Sequence, residues 1–376
     1  MAGLSRADNS LLGRWWWTVD RWTLAAICAL VGVGYVMMLA ASPAVAVRIH
    51  VARDSFILKQ VVFLGIALVV VVVTSLLSPR GIRRVALAGC VIALLLTALT
   101  LVSGAEIKGA RRWISLAGMS MQPSEFLKPC FAVVAAWLLA EGNRETTRLR
   151  RWAWPGLAIF IALLIGLLLR SQPDMGMLAV IAGVFFIQLF LNGLNLFLTG
   201  GLLGLFGVGG VAAYYTIEHV RSRVDRFLHP GIGDNWQVDK AQQAFGAGGL
   251  LGRGPGEGHV KDLIPDAHAD FVFAVAGEEF GMIVCLAIVG IFAFVVLRAL
   301  LRLLHERDMY VVLATAGLAA GFGLQAFVNM ASTLRLIPTK GMTLPFISYG
   351  GSSAIAVAVG IGMLLALTRR RHGEGS

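Results

Sequence analysis

The chain has 376 residues, of which 57% are hydrophobic and only 14% are charged. A soluble globular domain carries about 25% charged residues, so this composition excludes a water-exposed surface of ordinary extent and indicates a protein embedded in lipid. The formal net charge of +11 would suggest a nucleic-acid partner for a soluble protein, but here the basic residues lie in short gaps between apolar segments, where membrane topology accounts for them.

Ten apolar segments, each bounded by charged or turn-forming residues, follow one another along the chain. A helix needs about 20 residues to cross about 30 Å of hydrocarbon, and each segment is near that length. We therefore predict an all-α polytopic membrane protein with about ten transmembrane helices, which form one integral membrane domain over residues 1–376. The predicted spans are residues 22–41, 56–78, 82–103, 124–140, 153–169, 175–191, 195–216, 271–297, 309–333 and 346–368.

The N-terminal extension, residues 1–21, carries three arginines ahead of the first predicted span. A basic stretch before an apolar segment is also typical of a signal peptide, and Ala44-Val45-Ala46 loosely resembles a cleavage site. However, the apolar run from Trp22 to Ala41 exceeds the roughly 7 to 15 residues of a signal-peptide core. The sequence therefore predicts a first helix that is retained.

Ten spans put both termini on one side of the membrane, and the distribution of Lys and Arg indicates which side. With a cytoplasmic N-terminus, the inner segments hold 16 basic residues and the short outer segments hold nine, so the positive-inside rule favours cytoplasmic termini, with residues 369–376 as an inner tail. Six further cations lie in the long outer segment. Insertion does not require so many outer cations, so they indicate either an anionic ligand or contacts with lipid headgroups and nearby carboxylates.

The long outer segment, residues 217–270 between predicted spans seven and eight, is the one extended stretch of low hydrophobicity. Loops of this length are usually either functional or disordered. Aromatic and apolar residues such as Phe227, Trp236 and Phe245 occur within it and argue against disorder. We predict that it packs on the membrane surface, with no prediction of its internal fold.

Glu125 and Lys128 lie at the start of the fourth predicted span. Ionisable residues cost about 2.5 to 3.5 kcal/mol inside a transmembrane helix, so they are usually functional or paired. A separation of three residues places both on one helical face, where they can pair with each other. Such a pair is compatible with a binding role and also with a purely structural one.

Asp174 and Asp270 are acidic residues at the outer ends of predicted helices. Either carboxylate can cap the helix that follows it. A partly desolvated carboxylate such as Asp270 can instead act as a base near neutral pH. Glu278 and Glu279 follow about two turns further along, so at least one acid is expected to point into the bundle.

Five blocks of sequence, in a fixed order between matching spans, carry a family resemblance. The blocks are Gly109–Ile114 with Gln122–Lys128, Gln172–Asp174, Gly252–Lys261, Pro265–Val275 and Pro338–Ser353. Together they resemble the SEDS family (shape, elongation, division and sporulation) of membrane-embedded lipid II polymerases. The glycine-rich Gly252–Lys261 block and the Arg- and Trp-containing N-terminal extension resemble the division branch of that family more than the elongation branch.

The resemblance implies a peptidoglycan glycosyltransferase of the bacterial cytoplasmic (inner) membrane. Such an enzyme polymerises lipid II into β-1,4 glycan strands at the division septum, on the periplasmic face, and releases undecaprenyl diphosphate. The family's essential acid falls on Asp270, with the expected role of general base toward the acceptor sugar hydroxyl. The diphosphate then leaves the donor with inversion at the anomeric carbon.

The resemblance also implies cations that stabilise the departing diphosphate, for which the candidates are Arg112, Lys128, Lys261 and Lys340. Glu125 and Asp174 are expected either to orient these cations or to coordinate a divalent ion such as Mg²⁺ or Mn²⁺ that bridges the phosphates. No other cofactor is predicted.

Two positions depart from the family pattern. Ala269 and Met177 stand where Thr is frequent in the family, which weakens any role for a hydroxyl at either position. Neither change affects an acid or a base, so both are interpreted as tolerated.

The expected partners are lipid II, a class B penicillin-binding protein that crosslinks the strands, other divisome proteins and membrane lipids, without nucleic acid. Two alternatives stay open from the sequence, namely a lipid II flippase and a non-catalytic divisome scaffold. A transporter needs cations through the bilayer midplane, whereas this chain carries its charges near one face, which favours the enzyme.

Overall fold

A computed structural model gives the fold of residues 10–48, 55–107, 110–116, 119–229, 235–338 and 341–369. Across these residues the chain forms thirteen α-helices and three short β-strands. The helices are α1 (Leu11–Thr18), α2 (Arg21–Arg48), α3 (Ser55–Ser75), α4 (Pro79–Ser103), α5 (Ser124–Arg144), α6 (Arg148–Ser171), α7 (Met175–Leu191), α8 (Leu196–Thr216), α9 (Glu218–Leu228), α10 (Trp236–Gly248), α11 (Val272–Leu303), α12 (Met309–Thr333) and α13 (Gly351–Leu367).

Ten of these helices, α2 to α8 and α11 to α13, lie at the ten predicted spans. By length and composition, seven helices of the described residues can cross a membrane, and α7 and α13 are shorter apolar helices. The remaining one, α5, contains Glu125 and Lys128 and is buried along most of its length. The prediction of an all-α polytopic membrane protein is confirmed.

Both described ends of the chain lie at the same end of the bundle. Asp20 is 2% exposed and accepts hydrogen bonds from Arg298 Nε and Nη2 at 2.6 and 2.8 Å. Arg302 lies 3.1 Å from the same carboxylate and donates to Thr368 O at 2.6 Å. These contacts hold the N-terminal segment against the last turns of α11 and α13. We call this group the terminal cluster, and its members are Thr18, Asp20, Ser75, Arg298, Arg302, Thr368 and Arg369.

The core of the bundle is built around α5, which packs against α4, α6, α7, α12 and α13. Its side chains are buried on nearly every face, as those of a helix in the centre of a bundle must be. A second packing unit joins α13 to α3 and α2 to α11. The central position of α5 places its N-terminal turn, with Glu125, inside the protein rather than at its surface.

A small antiparallel sheet joins α4 to α5, where the sequence predicted only a connecting segment. Its strands are β1 (Ala105–Ile107), β2 (Ala110–Leu116) and β3 (Met119–Met121), in the order β1-β2-β3. The outer strands have three residues each, too few for an alternating pattern to be recognised in the sequence. The sheet fixes the direction of β2, which carries Arg112.

The long segment 217–270 is largely folded in its described residues. It contains α9, α10 and a short 3₁₀ helix at Lys261–Leu263, and α10 packs against α11. Its glycine-rich turn lies against an interruption of α11 at Gly281, where φ is +78°. Met282 N donates to Gly249 O at 3.0 Å there, and a Cβ at Gly281 would lie 2.4 Å from Gly252 N. Glycine is therefore required for this close approach.

Candidate active site

A cavity of about 960 Å³ opens at the end of the bundle opposite the terminal cluster. It is lined by residues from α3, β2, α5, α7, α9 and α13 and by the loops before α11 and α13. We call it the charged cavity, because ionisable side chains of both signs line it. They are Lys59, Arg112, Glu125, Asp174, Arg223, Arg226, Asp266 and Asp270.

Asp270 lies on the loop that leads into α11, and its carboxylate lines the charged cavity. Its backbone N–H closes a turn on Asp266 O at 3.1 Å, and its carbonyl accepts from Asn329 Nδ2 at 3.0 Å. A Cβ at Gly341 would lie 2.8 Å from Asp270 Oδ2, so the glycine leaves room for the carboxylate. The essential acid expected from the sequence is therefore held at a cavity wall and half-buried.

Arg112 reaches the cavity from β2 and is fixed by the loop between α6 and α7. Its Nε and Nη2 donate to the carbonyls of Gln172 and Pro173 at 2.7 and 2.6 Å. Its Nη1 lies 3.7 Å from Asp174 Oδ2. The same Asp174 accepts from Met177 N at 3.2 Å and caps α7, so this residue both begins a helix and orients a cation.

Glu125 and Lys128 pair with each other, as their spacing predicts, at 2.7 Å. Ser353 Oγ donates to Glu125 Oε2 at 3.1 Å, and Lys128 Nζ donates to Gln325 Oε1 at 2.5 Å. Glu125 lines the charged cavity, whereas Lys128 lies behind it and lines a separate small cavity of about 40 Å³. Lys128 therefore acts on the charged cavity through Glu125 rather than directly.

The structure does not bring Lys261 to the charged cavity. Its Nζ binds the Glu279 carboxylate and donates to Ala40 O at 2.7 Å, in a buried position. The neighbouring Glu278 carboxylate accepts three backbone N–H groups, those of His259, Val260 and Lys261, at 2.7 to 2.8 Å. We call Lys261, Glu278 and Glu279 the closed cluster.

The position of Lys261 in the closed cluster argues against its expected substrate-binding role, which stays a prediction. The hydrogen bonds of Lys261 Nζ are directed to the buried Glu279 carboxylate and to the part-buried Ala40 carbonyl, and they attach the glycine-rich loop to α11 and α2. The remaining candidate, Lys340, lies outside the described residues.

Glu125 and Asp174 each bind a cation of the protein itself. Within the described ranges, no three Asp, Glu, His or Cys side chains are grouped as ligands of a metal ion. Of the two roles expected from the sequence, this arrangement fits the orientation of cations, and a divalent ion shared with bound phosphates stays a prediction. No step below is routed through a metal ion.

Arg223 and Arg226 of α9 line the charged cavity, although sequence reasoning did not select them. Burial lowers the pKa of Arg223, and the positive charges of Arg112 and Arg226 lower it further, while Asp174 and Asp270 oppose this effect. The sequence signal was present, because positions 223 and 226 are three apart on one helical face. Because the sequence predicts no internal fold for segment 217–270, this spacing alone does not identify them.

The geometry thus defines a class of protein: a multi-pass helical membrane protein with a charged cavity at one end of its bundle, in which an Asp faces several guanidinium groups. Sequence comparisons give the family. The FtsW/RodA/SpoVE cell cycle protein model matches residues 21–373. The chain belongs to this family.

Close relatives cover almost the whole chain. A protein of Caulobacter vibrioides named "Probable peptidoglycan glycosyltransferase FtsW" is 42% identical over 372 residues, which are 98% of this chain and 94% of the relative. A protein of the same name from Trichlorobacter lovleyi is 36% identical over 359 residues, 92% of each chain.

Solved structures show the same fold. A chain from "Structural coordination of polymerization and crosslinking by a peptidoglycan synthase complex" matches with a TM-score of 0.77 and 30% identity, over 93% of this chain and 97% of that chain. The rod shape determining protein RodA of Thermus thermophilus matches with a TM-score of 0.68 and 28% identity, over 94% and 97%. The expected membership of the SEDS family is confirmed.

Proposed function

We propose that this chain is a peptidoglycan glycosyltransferase that polymerises lipid II into β-1,4 glycan strands and releases undecaprenyl diphosphate. One observation carries the proposal: Asp270 shares a cavity of about 960 Å³ with Arg112, Arg223 and Arg226. A carboxylate that can accept a proton and guanidinium groups that can hold a diphosphate are the two requirements of this reaction. The names of the curated relatives support the same activity.

In the proposed reaction, Asp270 is the general base. It accepts the proton of the acceptor sugar hydroxyl while that oxygen attacks the anomeric carbon of the donor. The bond between this carbon and the diphosphate oxygen breaks, and its electron pair leaves with undecaprenyl diphosphate. The attack occurs opposite the leaving group, so the configuration inverts to give the β-linkage.

The leaving diphosphate needs stabilisation of negative charge rather than a proton. Charge-assisted hydrogen bonds from guanidinium groups supply it, and they are strongest where the donors are fixed before the reaction. Arg112 is fixed in this way by two backbone carbonyls and Asp174. Arg223 and Arg226 add positive charge from α9 on the same cavity.

The remaining predicted residues support these groups. Asp174 orients Arg112, and Glu125, held by Lys128, presents a hydrogen-bond acceptor at the cavity wall that suits sugar hydroxyls. We place the charged cavity on the periplasmic face of the bacterial inner membrane, at the division septum. We also propose a class B penicillin-binding protein as partner, with other divisome proteins around the pair.

The test compares Asp270→Asn with the wild type and with Asp262→Asn. Asp262 is an exposed carboxylate of the same segment that does not line the charged cavity, so its variant is the matched control. Each protein, with its transpeptidase partner, receives labelled lipid II in detergent, and glycan chains are separated by size. We expect chains from the wild type and Asp262→Asn and none from Asp270→Asn.

Equal chains from Asp270→Asn would refute the assignment of the base. No chains from any protein, with the partner present, would instead favour the flippase or the scaffold.

A further inference from the structure

Three successive carbonyl groups of the loop before α11 each accept a hydrogen bond from a distant part of the chain. Tyr349 N donates to His268 O at 2.8 Å, and Ser348 Oγ donates to Ala269 O at 2.5 Å. Asn329 Nδ2 donates to Asp270 O at 3.0 Å. Loop carbonyls usually face water, so this continuous set fixes the backbone of the loop at the residue that carries the proposed base.

Ser348 connects two segments through one hydroxyl group. Its Oγ accepts from Leu344 N at 2.8 Å while it donates to Ala269 O, and the side chain is only 3% exposed. Its own carbonyl accepts from Gln60 Nε2 of α3 at 3.2 Å. Ser348 is therefore attached to α3 on one side and to the residue before Asp270 on the other.

Asn329 forms the second connection, from the last turns of α12. Its Nδ2 donates to Asp270 O and also to Met342 O at 2.5 Å, so one amide group holds together the two loops that meet at the charged cavity. Asn329 is fully buried, and Thr333 Oγ1 donates to its carbonyl at 2.8 Å within the same helix. Both N–H bonds of the amide are directed at loop carbonyls rather than at substrate.

The loop that contains Met342 also passes close to the carboxylate of Asp270. A Cβ built at Gly341 would lie 2.8 Å from Asp270 Oδ2 and 3.5 Å from its Cγ. The absence of a side chain at Gly341 therefore leaves the carboxylate the space that it occupies. The same loop is attached through Asn329 to the carbonyl of Asp270.

We propose that Asn329, Ser348 and Tyr349, here called the carbonyl clamp, position Asp270 for proton transfer, with Asn329 and Ser348 as positioning residues that do not touch substrate. The inference rests on the proposed function, because it assigns a role in the same reaction. A base must lie within hydrogen-bond reach of the hydroxyl it deprotonates, and a displacement of about 1 Å can cost roughly 100-fold in rate. The clamp supplies this placement through the backbone.

The test measures kcat, KM and backbone exchange for Ser348→Ala beside a matched control. Ser75→Ala also removes a buried serine hydroxyl, one that donates to Val72 O at 2.7 Å and accepts from Trp15 Nε1 at 2.7 Å, but at the opposite end of the bundle. Both variants are assayed with the transpeptidase partner and labelled lipid II. Hydrogen–deuterium exchange of residues 265–271 is followed by mass spectrometry on the same samples.

For Ser348→Ala, we expect kcat to fall roughly 10- to 100-fold with KM within about 2-fold, and faster exchange in residues 265–271. Ser75→Ala should leave kcat and this exchange unchanged. If Ser348 contributed only to packing, Ser348→Ala would lower the folded fraction, and kcat per folded enzyme would not change. Equal kcat values in the two serine variants, or unchanged exchange in residues 265–271, would overturn the carbonyl clamp.

Gly341→Ala is a second variant that acts on the carboxylate directly. The added methyl would meet Asp270 Oδ2, which can rotate away, so the protein should fold while kcat falls. Gly65→Ala in α3 is its control, because a Cβ at position 65 meets nothing within 4 Å. A kcat of Gly341→Ala equal to that of Gly65→Ala would contradict the proposed contact.

The failure of the clamp and the failure of the proposed function give different results. If the wild type forms no glycan chains, the proposed function fails, and the exchange of residues 265–271 in Ser348→Ala still tests whether Ser348 holds the loop. If the wild type forms chains and Ser348→Ala forms them at the same rate, only the clamp is refuted.

Discussion

Two groups of acidic and basic side chains lie near the start of α11, and they differ in whether they surround an open cavity. In the closed cluster, Lys261 binds Glu279 and a carbonyl, and Glu278 accepts three backbone N–H groups. The charged cavity contains Asp270 and several cations around an open volume of about 960 Å³. Charge near a membrane face therefore indicates function only where the surrounding protein leaves room for a ligand.

The arginines of the charged cavity point to the kind of ligand. Three arginines, Arg112, Arg223 and Arg226, line it, and the pKa of Arg223 is lowered by burial and by the other two. Like charges held near one another raise the free energy of the empty site, and a bound anion relieves this repulsion. In the closed cluster the one cation, Lys261, is paired with Glu279, which is consistent with a structural role.

The largest effect is expected from breaking the closed cluster. Glu279→Gln or Lys261→Met leaves the other charge buried without its partner, so the free energy of unfolding should fall by about 3–5 kcal/mol. The double variant Lys261→Met/Glu279→Gln removes both charges and should recover most of that loss. Thermal unfolding of the purified protein, followed by tryptophan fluorescence, measures all three.

The activity of the folded fraction should be unchanged in the double variant. Single variants as stable as the wild type would contradict the structural role of the closed cluster. A double variant that folds fully but polymerises no lipid II would place Lys261 in the reaction.

A smaller effect is expected in the charged cavity itself. Arg223→Gln removes a cation that we assign to the diphosphate, so kcat/KM for labelled lipid II should fall about 10- to 100-fold, as for the loss of a charge-assisted hydrogen bond of about 1.5–3 kcal/mol. Stability should be unchanged or slightly raised, because a repulsive charge is removed.

Arg221→Gln is the control on the same helix, since Arg221 pairs with Asp225 at 3.6 Å and does not line the cavity. The comparison would fail if both arginine variants lost the same activity, because the effect would then belong to α9 as a whole.

The smallest effect concerns His268, which packs against the rings of Phe56 and Tyr349. Burial lowers the pKa of His268 below its usual value of 6.5, although the nearby Asp266 carboxylate opposes this. Below pH 6.5 the unfolded chain therefore binds a proton at His268 more readily than the folded protein does. The free energy of unfolding should decrease as the pH falls from 7.

Thermal unfolding at pH 7 and pH 5.5 measures this dependence. His268→Phe, which retains a ring, should reduce it, whereas His305→Gln at an exposed position should not. The same pH dependence in wild type and His268→Phe would assign it to other groups.

The ten membrane helices could be predicted because the hydrophobic effect acts on long segments. Each predicted span coincides with one of the helices α2 to α8 or α11 to α13, and the pairing of Glu125 with Lys128 followed from helical spacing alone. The sheet that carries Arg112 was not predicted, because β1 and β3 have only three residues each and the seven residues of β2 do not alternate strictly between apolar and polar.

The candidate site could be predicted only in part, because the role of a charged side chain depends on partners that are distant in sequence. In the sequence, Lys261 and Arg112 are both cations of an outer segment within a family block. Only the fold shows that Glu279, 18 residues away, takes up Lys261 while Arg112 faces a cavity. Arg223 is the reverse case: the sequence shows its three-residue spacing from Arg226 but does not predict α9, the helix that carries both.

In this account Asp270 acts as the base, and different residues, the arginines, bind the diphosphate. This claim is tested most directly by measuring both the binding and the turnover of labelled lipid II on the same Asp270→Asn samples. If Asp270 is the base and the arginines hold the diphosphate, bound lipid II should stay within about 2-fold of wild type while the initial polymerisation rate falls about 10²- to 10⁴-fold. An Asp270→Asn rate within about 10-fold of wild type at saturating lipid II, or a loss of binding that accounts for the whole loss of rate, would contradict the account.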